Sequence, residues 1–271
     1  MQAGKTNFAK PLILVWTACI VIFLYTPMVS VVLASFSRKR YFSFPVENWD
    51  TRWYEKAFTS LSVRDLLFTS FSVAALVTIC SVVLAFFGAL AFARYDWKGR
   101  KLFQKIVLLP IFFPQAVLGL ALLLWFSELG IITSWVTAVF AHMIWITPIV
   151  TLIVSIQVYS FDPALEEAAM DMGATRLQTL RDVTIPVLSP GLISGGVFAF
   201  LLSWGNFPLS LFTTGADQTV PEWLYAKMVS GYTPMVPTLG SLMMAGAAIS
   251  LFVMYILYSL YKMRQKRRFA A

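Results

Sequence analysis

Five acids and two arginines fall within 25 residues of this chain: Asp162, Glu166, Glu167, Asp171 and Asp182, with Arg176 and Arg181. Over all 271 residues only 13% are charged, about half the usual share in a soluble domain. Carboxylates gathered this way could serve acid–base chemistry or hold a cation, but their surroundings complete neither. The chain has a single histidine, His142, and two cysteines, Cys19 and Cys80, each within an apolar run and without metal-ligand spacing. Such a set makes no nucleophile–base pair and no ligand cluster. No G-x-x-x-x-G-K stretch is present to cradle a nucleotide phosphate. The cysteines read as reduced packing thiols. His142 reads either as a passage-lining group or as a histidine bonded to a neighbouring helix.

The charged stretch reads as two short helices, a hairpin over 162–186. Asp162 followed by Pro163 is a helix start. Glu166 and Glu167 then lie in the first turns, where the helix dipole favours negative charge. Leu165, Ala168, Ala169 and Met172 share one face, predicted to pack on the protein. Gly173 is placed to end this helix in a left-handed cap. A Cβ there would cost about 1 kcal/mol, and a larger side chain is expected to crowd Ala168 and Ala169. In the second helix Leu177, Leu180, Thr184 and Val187 form one stripe, and Pro186 and Pro190 mark its transition into the next apolar run. The Glu167 carboxylate is expected to bond a partner or cap its helix.

Two further polar groups sit deep in apolar sequence. Asn206 lies between Gly205 and Pro208, beside Trp204 and Phe207, and Gln115 follows the bracketing pair Pro110 and Pro114. A proline removes a backbone donor and crowds the preceding turn. Such breaks are tolerated inside a membrane only where they are packed or face a cavity. Gln115, Trp204, Asn206 and Phe207 are therefore candidates for a passage wall. The alternative is a proline kink with a structural asparagine.

The elements that must position these residues are long and apolar. The composition is 59% hydrophobic with mean hydropathy +0.75. Six runs, at about 11–36, 66–93, 106–127, 134–160, 190–213 and 239–261, approach or exceed the ~20 residues that cross a bilayer as helix. Continuous runs of this length argue helices over the alternating strands of a barrel. None contains Asp, Glu, Lys or Arg, which counts against a proton-coupled transporter. The first run follows Lys5 and Lys10 and, at 26 residues, is longer than a signal peptide's apolar core; it reads as an uncleaved span. Lys and Arg divide as 14 on the side of the N-terminus and seven on the other, while the acids divide six and seven. The positive-inside rule then sets both termini and the hairpin in the cytoplasm, with a local exception at Arg38, Lys39 and Arg40. Short interfacial helices are predicted at "TRWYEKAF" in the 37–65 loop and at "VPEWLYAKMV" in 214–238, the latter opened by Pro221 and closed by Gly231 and Pro234. The sequence reads as an all-α polytopic membrane protein with one integrated domain, 1–271, and no internal repeat.

One pattern is more specific. Glu167-Ala168-Ala169, Gly173, then Val183-x-Ile185-Pro186 resembles the E-A-A-x3-G-x9-I-x-L-P loop of ABC-transporter inner-membrane permeases, with Val for Ile and Ile for Leu. The "RYDWKGR" turn, "PQAVLG" and "SWGNFP…FTTG" are similar to the spermidine/putrescine group, in its C-type subunit. The resemblance implies the six-helix type I importer permease fold and a subunit of a bacterial inner membrane importer. In that family the loop docks into a nucleotide-binding subunit. The implied partners are a homologous B-type permease, two ATP-binding subunits that hold ATP and Mg, an external solute-binding protein and membrane lipid, with no nucleic acid and no cofactor in this chain. The implied cargo is a polyamine or related organic amine. Gln115 and Asn206 are uncharged, and similar folds carry aminophosphonates, other organic solutes or ferric iron. A secondary transporter or channel is the alternative of another class, and it would call for inverted repeats.

Overall fold

The computed structural model describes residues 9–38, 45, 46 and 48–270, so Lys5, Lys39 and Arg40 lie outside the described residues. Within these bounds the chain is almost wholly helical, and the one β pairing is an isolated bridge between Ser37 and Trp49. Helices α1 (Ala9–Ser35), α2 (Arg52–Thr59), α3 (Leu61–Ala89), α4 (Arg100–Leu108) and α5 (Gln115–Glu128) precede α6 (Trp135–Tyr159). The hairpin supplies α7 (Ala164–Asp171) and α8 (Arg176–Thr179). Then follow α9 (Ile185–Trp204), α10 (Ser210–Thr213), α11 (Val220–Ser230) and α12 (Met235–Ala270). Both predicted interfacial helices are present, as α2 and α11.

Five helical stretches are long and apolar enough to span a membrane: Lys10–Ser35, Leu61–Arg94, Trp135–Tyr159, Arg176–Trp204 and Met235–Leu260. The expected third span, 106–127, is not a straight helix. It divides into Arg100–Phe112 and Gln115–Glu128, which meet at 102°. The prolines are the cause. Leu109–Phe112 tightens into a 3-10 turn around Pro110, and Phe113, ahead of Pro114, is forced to ψ 135°. The expected fifth span, 190–213, is also redrawn. Its helix starts at Arg176, runs through Pro186 and Pro190 without a break, and stops at Trp204. A π turn at Leu180–Thr184 leads into Pro186. The Ser189 hydroxyl donates to the Pro186 carbonyl at 2.8 Å, the acceptor that Pro190 leaves without its usual N–H. The real break is at Gly205–Leu209, where Pro208 forbids continuation.

The chain forms two compact units. In one, residues 1–63 and 224–245, the Tyr54 hydroxyl bonds Ser35 at 2.6 Å and Ser241 at 2.5 Å. Helix α1 is exposed from Lys10 to Val29, Cys19 included; Cys19 therefore does not pack within the chain, while Cys80 is half-buried. The other unit, residues 64–223 and 246–271, holds the main core. Val73, Val77 and Ala85 of α3, Ile146, Val150 and Val154 of α6, and Leu188 and Ala199 of α9 are fully buried together. Small residues bring α6 and α9 close: a Cβ on Gly195 would lie 2.8 Å from Val150 Cγ1, and one on Gly191 3.0 Å from Gln157 Cβ. Such close approach is how helices gain packing energy in lipid, where apolar burial drives nothing.

Candidate functional site

The hairpin begins as its sequence implies. Asp162 Oδ1 accepts the Ala164 N–H at 3.0 Å, satisfying one of the orphan donors of the first turn. Gly173 has φ +92°, with its N–H donated to Met170 O at 2.9 Å and the next, Ala174, to Ala169 O at 3.0 Å. The left-handed cap is therefore in place. The second helix starts on a capping box: Gln178 N–H donates to Thr175 Oγ1 at 3.3 Å, and Thr175 N–H to Gln178 Oε1 at 2.7 Å.

One expectation about the hairpin fails. The face Leu165, Ala168, Ala169, Met172 does not pack on the protein: only Ala169 is buried, and Met172 is 84% exposed. In the second helix Leu177 is exposed as well, while Leu180, Val183 and Val187 meet the core and Thr184 is buried. The helices are short enough to stand off the body, so an apolar stripe need not point inward. A Cβ built on Gly173 would itself meet nothing within 4 Å. For a Cβ alone, backbone strain is the cost. Glu167 and Ile185 are exposed and Pro186 is half-buried.

The residue that faces inward is Glu166, which the sequence reading placed only as a dipole partner. Arg94 Nη2 donates to its Oε2 at 2.6 Å, and the Thr184 hydroxyl donates to its Oε1. The Arg94 guanidinium also lies 4.8 Å from the centre of the Phe161 ring. Arg94 closes the π turn Leu90–Arg94 that ends α3. The "RYDWKGR" turn caps that same end: Arg100 donates to Phe92 O and Ala93 O, at 3.0 and 3.1 Å, and Gln104 to Phe92 O at 2.7 Å.

The second place of interest is the break after α9. Here the structure brings Gln115 and Asn206 together, with Asn206 Nδ2 3.5 Å from Gln115 Oε1. Helix α5 can come this near because a Cβ on Gly119 would already be 3.1 Å from Pro208 O. Asn206 is 5% exposed, and its Oδ1 accepts the Leu209 N–H at 3.1 Å. Trp204 is buried, stacked on Phe200 at 5.7 Å and pressed on α12, where a Cβ on Gly246 would lie 2.8 Å from its ring. Phe207 is half-buried and Gly205 exposed. Within the chain, Trp204 is a helix-packing residue, while Gly205, Phe207 and Gln115 keep access to the surface.

His142 belongs to this break and is fully buried. Its Nδ1 is 2.9 Å from Ser203 Oγ and its Nε2 3.0 Å from Ser210 Oγ. The passage-lining reading of His142 fails, and it is bonded to neighbouring helices. Sequence reading missed Ser203 and Ser210, since serines in apolar helices are common and nothing in the spacing singles them out. It also missed Glu222, a buried carboxylate that accepts from Thr214 Oγ1 at 2.6 Å and from Thr219 N–H and Oγ1, each at 2.7 Å. The Thr219-x-x-Glu222 spacing was a readable cap signal.

The family described as "binding-protein-dependent transport system inner membrane component" matches residues 81–269. The putrescine transport system permease protein PotI of Escherichia coli is 28% identical over 247 residues, covering 87% of this chain and 86% of that protein. The spermidine/putrescine transport system permease protein PotC of Haemophilus influenzae is 26% identical, covering 82% and 86%. Among solved structures, a chain of a bacterial ABC transporter involved in alginate import superposes with TM-score 0.63 at 19% identity, covering 96% of this chain and 99% of that one. A chain of the MetNI methionine ABC transporter superposes with TM-score 0.59 at 19% identity, covering 73% and 97%. With the helical spans and the E-A-A hairpin, these likenesses establish that the chain belongs to the inner membrane components of binding-protein-dependent transport systems, as a multi-pass ABC importer permease.

Proposed function

We propose that this chain forms half of the translocation pathway for a polyamine, spermidine, putrescine or a related organic amine, with ATP hydrolysed by other subunits. The observation that carries the reading is the hairpin. Ala168, Met172 and Leu177 are exposed around a left-handed glycine, while Glu166 ties the same hairpin to the core. A small apolar knob on a fixed base suits a cleft in a partner. Glu167, Ala168, Ala169 and Gly173 meet an ATP-binding subunit, and Val183, Ile185 and Pro186 carry the contact into α9. The putrescine and spermidine/putrescine relatives support the cargo class.

The partners are a homologous B-type permease, two ATP-binding subunits holding ATP and Mg, and an external solute-binding protein. The chain has no ATPase site of its own. The Lys and Arg distribution supports cytoplasmic termini and a cytoplasmic hairpin. Gln115 and Asn206 mark the cargo path, with Phe207 and the stacked Trp204 framing it. Both amides are uncharged, so carboxylates for a polycation come mainly from the second permease.

The test is reconstitution of the assembled importer in proteoliposomes with its binding protein, followed by uptake of labelled putrescine and spermidine. Uptake driven by ATP, with no hydrolysis by this chain alone, is the expected result. Hydrolysis by the isolated chain rejects the subunit assignment. A coupled importer that takes up neither amine rejects the cargo and leaves an aminophosphonate, another organic solute or ferric iron.

A further inference from the structure

We propose that Glu166 is the positioning residue through which the hairpin moves two spans at once, with Arg94 and Thr184 as its receivers. The inference rests on the docking role of the hairpin given above, and adds where the movement goes. Of the two adjacent acids in the first turn of α7, Glu167 is exposed and Glu166 is turned inward, its side chain only 18% exposed. Its two oxygens serve different helices. Oε2 takes the 2.6 Å bond from Arg94, the last residue of the Leu61–Arg94 span. Oε1 takes the Thr184 hydroxyl, at the point where Arg176–Trp204 passes from its π turn into α9.

Both receivers close a π turn, Leu90–Arg94 and Leu180–Thr184. In such a turn the i to i−4 ladder is rearranged, and it occurs preferentially at functional sites in helices. A pull at these residues therefore acts where each helix is locally widened and its bonding already altered. Arg94 is steadied on its other side by the Phe161 ring, which is buried just ahead of α7. A displacement of α7 thus reaches α3 and α9 through one carboxylate, with a charge-assisted bond to the guanidinium on one side and to the hydroxyl on the other. The same α9 ends at the break that holds Asn206, so the latch lies on the helix that leads to the proposed path.

An ordinary structural ion pair predicts something different. It would lower stability and assembly together, and leave transport per ATP unchanged in whatever complex formed. The experiment uses the assembled importer in proteoliposomes, comparing Glu166→Gln, Thr184→Val, Arg94→Glu and the exchange Arg94→Glu/Glu166→Arg. Attachment of the ATP-binding subunits, hydrolysis stimulated by loaded binding protein, and uptake per ATP are measured for each. Glu166→Gln and Thr184→Val are expected to keep attachment and hydrolysis while uptake per ATP drops about fivefold or more, the lower end of typical coupling strengths. The exchange restores the pair with position 94 but not the acceptor for Thr184, so it should recover part of the loss seen in Arg94→Glu and stay near Thr184→Val. An unchanged ratio in Glu166→Gln and Thr184→Val overturns the latch, as does a loss confined to attachment and melting temperature. Met172→Arg, on the exposed face, separates this from failure of the docking role itself. If Met172→Arg leaves attachment and uptake normal, the hairpin is not the docking element, whatever Glu166 does.

Discussion

The imidazole of His142 joins the two sides of the helix break, and its removal gives a ranked set of effects. Ser210 donates its single hydroxyl proton to Asn206 O at 2.9 Å, so toward His142 it can only accept. Nε2 must then carry the ring proton and donate to Ser210, which leaves Nδ1 to accept from Ser203. The order is Ser203 to His142 to Ser210 to the Asn206 carbonyl, which lies in the break between α9 and α10. Interhelical side-chain bonds in membranes average roughly 0.6 kcal/mol and reach about 1.7. Ser203→Ala removes one bond and leaves the buried Nδ1 without its donor, so about 1 kcal/mol is expected. Ser210→Ala removes two bonds and leaves the Asn206 carbonyl and the His142 Nε2–H buried without these partners, so about 1–3 kcal/mol is expected. His142→Ala removes two bonds and empties a fully buried ring site, for about 3–5 kcal/mol, as for other large-to-alanine changes. Thermal unfolding of the purified chain in detergent reads the order, with uptake by the assembled importer alongside. If Ser210→Ala melts no lower than Ser203→Ala, the directional chain is wrong. If His142→Ala melts like the parent, the break is held by something else.

At Gly173 a Cβ meets backbone strain and no neighbour within 4 Å, since φ is +92°. Gly173→Asn should therefore keep attachment of the ATP-binding subunits, whereas the β-branched Gly173→Val should weaken it or uncouple hydrolysis from uptake; equal behaviour of the two in co-purification removes the cap argument. Asn206→Leu should lower uptake at least severalfold with the complex intact, because it removes an amide placed beside Gln115; unchanged uptake by a verified complex assigns Asn206 to structure alone. Gly215→Ala should be among the most damaging small changes outside the core. It has φ +64° and its Cβ would sit 2.2 Å from the Thr133 carbonyl oxygen, so the loop must move, and a normal yield of folded chain from this variant would contradict that geometry.

Much of this protein was legible in one dimension because its solvent is a bilayer. Runs of about 20 apolar residues and the E-A-A-x3-G spacing are linear properties, and the runs mark a physical requirement that does not depend on neighbours. The caps at Asp162 and Gly173 were equally local: a short side chain reaches the N–H two residues on, and a left-handed residue ends a helix wherever it stands. The prolines were legible as trouble but not as outcome. Pro110 and Pro114 bend their segment by 102°, while Pro186 and Pro190 leave theirs continuous. What decides is whether a π turn or a hydroxyl such as Ser189 takes up the freed backbone groups.

Faces and partners were decided by tertiary structure alone. Helical periodicity groups Leu165, Ala168, Ala169 and Met172 on one stripe, but only the position of the body tells whether that stripe is covered, and here it is not. Glu166 and Glu167 are indistinguishable as adjacent acids. One turns to Arg94, 72 positions away, and the other to the surface. His142, Ser203 and Ser210 likewise become one unit only when α6 packs across the broken end of α9, a contact that close approach at Gly195 and Gly191 permits. Spacing along the chain encodes what a residue can do with its own helix. Which distant groups share a carboxylate or an imidazole depends on how helices pack, and in lipid that is set by small residues and bonded polar groups whose partners the linear order does not reveal.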